Sequence, residues 1–159
     1  MDKYSYGKTP KSLQLLKQII EADPTYAKAY YQLGVIYYYE LKDYQSAGYY
    51  FKTCIAIDPT FPDVYENYMQ LLAFLNMAKT LNTVKTAALS TPGVDHAEIY
   101  NIMGLFEEKV RELQQAKTYY TLAFEVALNK SQLKDAEENM ARVQTKLQYK
   151  STVRYTLAE

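Results

Sequence analysis

Tryptophan is absent from the chain, and cysteine and histidine occur once each, as Cys54 and His96. One cysteine closes no internal disulfide, and with a single histidine far from it in sequence most metal-ligand and general-base designs are removed as well. Charge of one sign is lacking too. Lys plus Arg is 18 and Asp plus Glu is 18, a formal net charge of zero that draws the chain neither to nucleic acid nor to anionic lipid. Long apolar runs are missing: Leu71-Leu72-Ala73-Phe74-Leu75 is far short of the roughly 20 residues a membrane span needs. The five glycines, Gly7, Gly34, Gly48, Gly93 and Gly104, are isolated and form no phosphate-binding loop. The first eight residues have no apolar core, so no secretory signal is expected there and the expected location is cytoplasmic. An excised periplasmic domain would read the same way. No catalytic residue, metal or cofactor site is expected, and the reading is a non-enzyme.

What is present is ordinary globular material in a chain of 159 residues, 48% hydrophobic and 23% charged, about one domain's worth. The oddity is 18 tyrosines against five phenylalanines. The order is more telling than the composition. Asp23-Pro24-Thr25-Tyr26 returns as Asp58-Pro59-Thr60-Phe61, an offset of 35 that also relates Tyr30 to Tyr65 and Tyr65 to Tyr100. An offset of 70 carries Leu33-Gly34 onto Met103-Gly104, yet Ala47, Phe51 and Cys54 map to Ala116, Tyr120 and Ala123 at 69. One extra residue in the turn at Leu41-Lys42-Asp43 is the expected cause of that slip.

Each repeat reads as two helices. Tyr30, Leu33 and Tyr37 form one stripe at helical spacing, and Ala47, Tyr50, Phe51, Cys54 and Ile55 form the next, with a polar turn between. Proline disfavours the helical region for the residue before it, so Asp23-Pro24 and Asp58-Pro59 end the second helices. Asp95 with Glu98 reads as a capping box. Thr9-Pro10 reads as a helix start, with Thr9 as N-cap. Leu133, Ala136, Met140, Val143 and Leu147 mark a last amphipathic helix after an expected Ser131 N-cap. The tyrosines at repeat positions, Tyr30, Tyr37, Tyr50, Tyr65, Tyr100 and Tyr120, are expected in the core.

The series Tyr30, Leu33, Gly34, Tyr37, Ala47, Phe51, Cys54 and Pro59 resembles the tetratricopeptide repeat, position by position. Tyr100, Met103, Gly104, Ala116, Tyr120 and Ala123 match again, with Glu107 where an aromatic is expected. The resemblance implies an all-α chain, an α-solenoid of helical hairpins. The expected layout is a tail (residues 1–8), a repeat domain (9–130), a capping helix (131–150) and a tail (151–159). The repeat domain holds a leading half repeat (9–25) and three repeats (26–61, 62–94, 95–130). The third repeat is degenerate, with Met69 in place of the glycine. The half repeat is either a solitary leading helix or the remainder of a longer series whose earlier repeats lie upstream.

The resemblance also implies a non-catalytic module that binds a peptide or partner-protein segment on the faces of the first helices. The residues off the core stripe there are Lys28, Tyr31, Gln32, Val35, Tyr38 and Tyr39. The third repeat adds Asp63, Glu66, Asn67, Gln70 and Phe74, and the fourth adds Glu98, Asn101, Ile102, Leu105, Glu108 and Lys109. These hold two bases and four acids among aromatic rings, which fits a segment with apolar or aromatic anchors and a basic residue. The co-chaperone members clamp a C-terminal carboxylate with Lys, Asn and Arg. Here only Asn67 fits, with Tyr31, Val35, Glu98 and Ile102 at the other places, so an acidic tail is not expected. An alternative packs the tyrosines between adjacent first helices. A second alternative is a structural part of a larger chain or homo-oligomer, associating through the uncapped N-terminal edge. Cys54 reads as a buried small residue and His96 as a helix-start residue. Arg142, Lys146, Lys150 and Arg154, four apart, read either as a solvated face or as a basic docking strip.

Overall fold

The repeated stripes fold as helices, and within each of two units consecutive helices pack on one another. The computed structural model describes residues 5–156, with side chains from Thr9 to Tyr149. The elements are α1 (Ser5–Ala22), α2 (Ala27–Val35), a π-helical turn (Ile36–Glu40), α3 (Tyr44–Ile57), α4 (Asp63–Phe74), α5 (Ala78–Ser90), α6 (His96–Lys109), α7 (Leu113–Val126) and α8 (Lys130–Thr156). No strand occurs among the described residues. The chain divides into two compact units, one up to Val94 and one from Asp95 onward, where its length suggested one domain. Contacts in a repeat chain are local in sequence, which permits such a division.

In the N-terminal unit α1 packs on α2, α2 on α3, α3 on α4 and α4 on α5. The Asp-Pro-Thr motif repeats in hydrogen bonds as well as letters. Asp23 Oδ1 accepts from the Thr25 amide at 2.9 Å and hydroxyl at 2.7 Å, and Asp58 does the same for Thr60 at 2.9 and 2.7 Å. The next tyrosine then donates back to the proline carbonyl: Tyr30 to Pro24 at 3.1 Å and Tyr65 to Pro59 at 2.6 Å. Each turn is thereby tied to the first helix that comes after it. The core between the helices is Leu33, Phe51, Cys54, Tyr65, Met69 and Leu81, all buried.

In the C-terminal unit α6 packs on α7 and α7 on α8. Asp95 N-caps α6, accepting from the Glu98 amide at 3.2 Å. Ala116, Tyr120 and Val143 form a buried cluster lined by Leu113, Met140 and Leu147, so the last amphipathic stripe covers α7 as its spacing implies. Without that cover, α7 would leave its apolar side in water.

Five features differ from the sequence reading. The helix of the half repeat starts at Ser5 and runs through Pro10. Pro10 is the sixth residue of this helix, so its missing N–H leaves the carbonyl of Tyr6 without that helical partner, and the helix continues past it. Thr9 is therefore no cap, and its hydroxyl donates to Glu40 instead. The cap of α8 is Asn129, not Ser131: Asn129 Oδ1 accepts from the Gln132 amide at 3.0 Å, and Gln132 Oε1 accepts from the Leu128 amide at 2.8 Å. Helix α8 also continues to Thr156, past the expected end at 150, and residues 157–159 lie outside the described part. Of the six tyrosines expected in the core, Tyr30, Tyr65 and Tyr120 are buried, whereas Tyr37, Tyr50 and Tyr100 are half-buried and stack on neighbouring rings.

The fifth difference concerns the extra residue. Leu41 donates to Ile36 O, five residues back, at 3.1 Å, and Asp43 to Tyr37 O, six back, at 2.9 Å. In the fourth repeat the equivalent bonds are one residue shorter, Val110 to Phe106 O at 3.1 Å and Glu112 to Glu107 O at 2.8 Å. The insertion is thus a widened helical turn at Ile36–Glu40 rather than a longer loop. The turns themselves match: Lys42, Asn76 and Arg111 all adopt positive φ, at 56°, 57° and 66°.

A tyrosine and amide face on the first helices

Helix α2 and the π-turn place Tyr31 and Tyr39 toward Asn67 and Gln70 of α4, while Tyr38 packs on Tyr39, Tyr44 and Phe51. The amide of Asn67 is held between two phenols. Its Nδ2 donates to the Tyr31 hydroxyl at 3.1 Å, and its Oδ1 lies 2.9 Å from the Tyr39 hydroxyl. That same hydroxyl is 3.0 Å from Gln70 Oε1, and Gln70 Nε2 donates to Glu66 Oε1 at 3.2 Å. The row Glu66, Gln70, Phe74 runs at four-residue steps along one side of α4, the spacing that makes helical neighbours.

Aromatic rings continue the surface. Tyr31 lies 5.3 Å from Phe61 and 6.4 Å from Phe51, centroid to centroid. Beyond it the rings form a chain, Tyr39 to Tyr38 at 4.6 Å, Tyr38 to Tyr44 at 5.9 Å and Tyr44 to Phe74 at 4.9 Å. Tyr39 is 46% exposed and Phe74 54%, so the chain ends in two rings open to water. Burial raises the pKa of Tyr31, Tyr38 and Tyr39, and these hydroxyls stay neutral hydrogen-bonding groups. Of the remaining residues, Gln32 and Val35 are half-buried, and Lys28 is exposed in a cleft of about 520 Å³ with Tyr26, Ile57, Asp58 and Phe61.

The fourth-repeat residues meet a different fate. Asn101 Oδ1 accepts from Asn139 of α8 at 2.8 Å, and Glu98 and Asn101 share a cavity of only about 20 Å³ with Gln132, Asp135 and Ala136. Helix α8 therefore covers this part of α6. Ile102, expected on the open face, is 3% exposed and belongs to the core. Leu105 is exposed. Glu108 is engaged by α7 and α8, as Tyr120 donates to it at 2.8 Å, Arg142 binds it through Nε and Nη2 at 2.9 and 2.7 Å, and Lys146 binds it at 2.6 Å. With its side chain 8% exposed, Glu108 is held down to about 2, chiefly by Arg142.

Those contacts account for half of the basic series. Arg142 and Lys146 neutralise Glu108 and hold α8 in place; the side chains of Lys150 and Arg154 lie outside the described part. Cys54 is fully buried and its thiol is pushed up to about 12 by burial, an inert core group. His96 opens α6. Among the described residues no group of side chains could hold a metal ion. Sequence reasoning missed Tyr44 and Phe61 as members of the aromatic surface, because both lie outside the first-helix stripe. It also missed Asp43, which caps α3 by accepting from Ser46 at 3.1 Å.

Residues 15–48 match the tetratricopeptide repeat family, a span that runs from α1 through the π-turn into α3. The chain carries the tetratricopeptide repeat and its fold. Solved structures of similar fold include the first TPR domain of human RPAP3, at 18% identity, aligned over 81% of this chain and 98% of that one with a TM-score of 0.65. MamA is similar over 96% of this chain and 98% of its own, at 18% identity and a TM-score of 0.65. The first TPR of Spaghetti (RPAP3), solved with the HSP90 peptide SRMEEVD, is 17% identical, with a TM-score of 0.62 over 76% of this chain and 92% of that one. No curated protein matches the chain. The all-α repeat architecture read from the sequence is the one found.

Proposed function

We propose that this tetratricopeptide-repeat chain is a non-catalytic interaction module that binds an extended segment of a partner protein. The binding surface is the first-helix face of the N-terminal unit. The observation that carries this reading is the ordered lattice of phenols and amides joining α2 to α4, ending in the exposed rings of Tyr39 and Phe74. Side chains pinned in this way present a surface of fixed shape, and fixed aromatic surface binds with little loss of side-chain entropy. An acidic C-terminal tail is not the expected ligand, nor is a peptide such as the SRMEEVD bound to Spaghetti. Asn67, the one residue fitting a carboxylate clamp, spends its amide on Tyr31 and Tyr39. Capture of a partner from native extract tests the reading, with the double substitution Tyr31→Ala and Tyr38→Ala as control. Lost capture with helicity intact supports it; unchanged capture refutes it.

A second reading is self-association through α1. Every described side chain of α1 is at least partly exposed, and Leu15 is 58% exposed, so this helix is covered on one side only. Sedimentation at tens of micromolar decides between the two, since a monomer removes the second. No helix among the described residues is long and apolar enough to cross a membrane.

A further inference from the structure

Charge on the N-terminal unit's first-helix face is one-sided in a chain that is neutral overall. Helix α2, the π-turn and α4 carry one base, Lys28, against three acids, Glu40, Asp63 and Glu66. Glu40 is bonded to Thr9 of α1. Asp63 and Glu66 are exposed on α4, which has no Lys or Arg of its own. Their field reaches the phenols: after burial, which comes first, both carboxylates push Tyr31 upward, and Glu66 does so for Tyr39. Negative potential therefore lies along the edge of an exposed aromatic surface, and Tyr39 meets the Glu66–Gln70–Phe74 row of α4 at Gln70. Planar rings beside carboxylates match one side chain better than any other. A guanidinium stacks on an aromatic face while its N–H fork pairs with a carboxylate, whereas a lysine ammonium offers charge without the planar contact.

We propose that this face recognises a basic extended segment through an arginine, stacked at Tyr39 and Phe74 and paired with Glu66, with Asp63 adding to the field. The proposal rests on the partner-binding reading above and narrows its partner to arginine-bearing peptide. The π-turn is what brings this about in the second repeat alone. It holds Tyr39, stacked on Tyr38, against Asn67 and Gln70 of α4, whereas the fourth repeat, one residue shorter, has Glu108 in the corresponding stretch and commits it to α8. Widened turns of this kind often mark functional stretches of helices.

The test pans a phage-displayed library of random linear heptapeptides against the full chain, then measures the enriched peptides by fluorescence anisotropy. Arginine should be enriched, and replacing it with citrulline should weaken binding by about tenfold. The exposed pair of changes Asp63→Asn and Glu66→Gln should weaken the arginine peptide by a similar factor and leave its citrulline counterpart unchanged. Phe74→Ala, which removes an exposed ring and spares the core, should weaken both. Enriched peptides that bind without arginine yet depend on Phe74 overturn the arginine inference and leave the partner-binding reading standing. Peptides indifferent to Phe74→Ala and to Tyr31→Ala with Tyr38→Ala, or a library that yields no binder, overturn both.

Discussion

Gly34 lies directly against the ring of Phe51: a Cβ at Gly34 would stand 2.5 Å from Phe51 Cδ1 and Cε1. In the fourth repeat Gly104 holds the same relation to Tyr120, where a Cβ would stand 2.4 Å from the ring. Neither ring can retreat, since Phe51 and Tyr120 are both fully buried. The glycines are therefore the points at which the two helices of a repeat touch.

Gly34→Ala and Gly104→Ala should each lower stability by about 1–3 kcal/mol through overpacking, even though alanine favours the helix by about 1 kcal/mol. Denaturant midpoints check this. Combining Gly34→Ala with Phe51→Leu should recover part of the loss, because the smaller side chain gives back the space. A Gly34→Ala variant at least as stable as the parent would remove the close-contact account.

The αL residues lead to an opposite expectation. Lys42, Asn76 and Arg111 end the three first helices with positive φ, a conformation that strains most side chains and suits glycine and asparagine. Lys42→Gly and Arg111→Gly should raise stability by about 0.5–1 kcal/mol each, while Asn76→Gly should change it little. Thermal melts of the three variants read the contrast directly.

These positions also show where the sequence was legible and where it was not. The hairpins, the repeat phase and the covering role of α8 follow from stripes that many residues support at once, such as Leu133 through Leu147, and packing honours those stripes. The widened turn at Ile36–Glu40 left only an offset of 69 beside one of 70. That mismatch counts the extra residue but does not say whether a helix or a loop absorbs it. The candidate face was legible as a set of off-core positions, Tyr31, Tyr39, Asn67 and Gln70 among them. Their mutual hydrogen bonds were not, because polar side chains choose partners across helices that periodicity does not pair. The same limit hid the attraction between Glu108 and Arg142, 34 positions apart.

That ion cluster carries a pH expectation. Glu108 is held down to about 2 from an ordinary value of 4.5, so the unfolded chain binds its proton more readily than the folded one. Its contribution to stability is full above pH 4.5 and is lost as the pH falls toward about 2. Glu108→Gln should cost about 2–3 kcal/mol at neutral pH, by leaving Arg142 and Lys146 without their carboxylate, and should flatten the stability profile between those two pH values. An unchanged acid limb in the variant would assign the acid sensitivity elsewhere.

The covering helix allows a further check. Chain termination after Leu128 removes α8 and bares the side of α7 that holds Ala116 and Tyr120. Adjoining elements of a repeat chain share their core, so the loss should bring aggregation or a broadened, less cooperative melt. A truncated chain that stays monomeric with the parent's melting curve would contradict the covering role. Val143→Ala gives a milder form of the experiment, with an expected cost of about 1–3 kcal/mol from the cavity in that cluster.

Asn67 makes the strongest claim about the candidate face, because one amide joins two phenols from the neighbouring helix. If the three groups act as a network, their contributions are not additive. Asn67→Ala removes both bonds at once, whereas Tyr31→Phe and Tyr39→Phe each remove one hydroxyl and keep the ring. The single tyrosine changes should cost about 0.5–1.5 kcal/mol each, and Asn67→Ala about 1–2 kcal/mol. In the combined variant with Asn67→Ala, each tyrosine change should then cost less, leaving a coupling of about 0.5–1 kcal/mol in a double-mutant cycle. The partner-binding reading adds a second requirement, that Tyr39→Phe with Asn67→Ala weaken peptide binding more than it weakens folding, since the pinned surface would loosen while the buried core under Leu33 and Phe51 stays whole. Zero coupling would mean that these bonds are broken in solution, and that the shape of the face is set by ring packing alone.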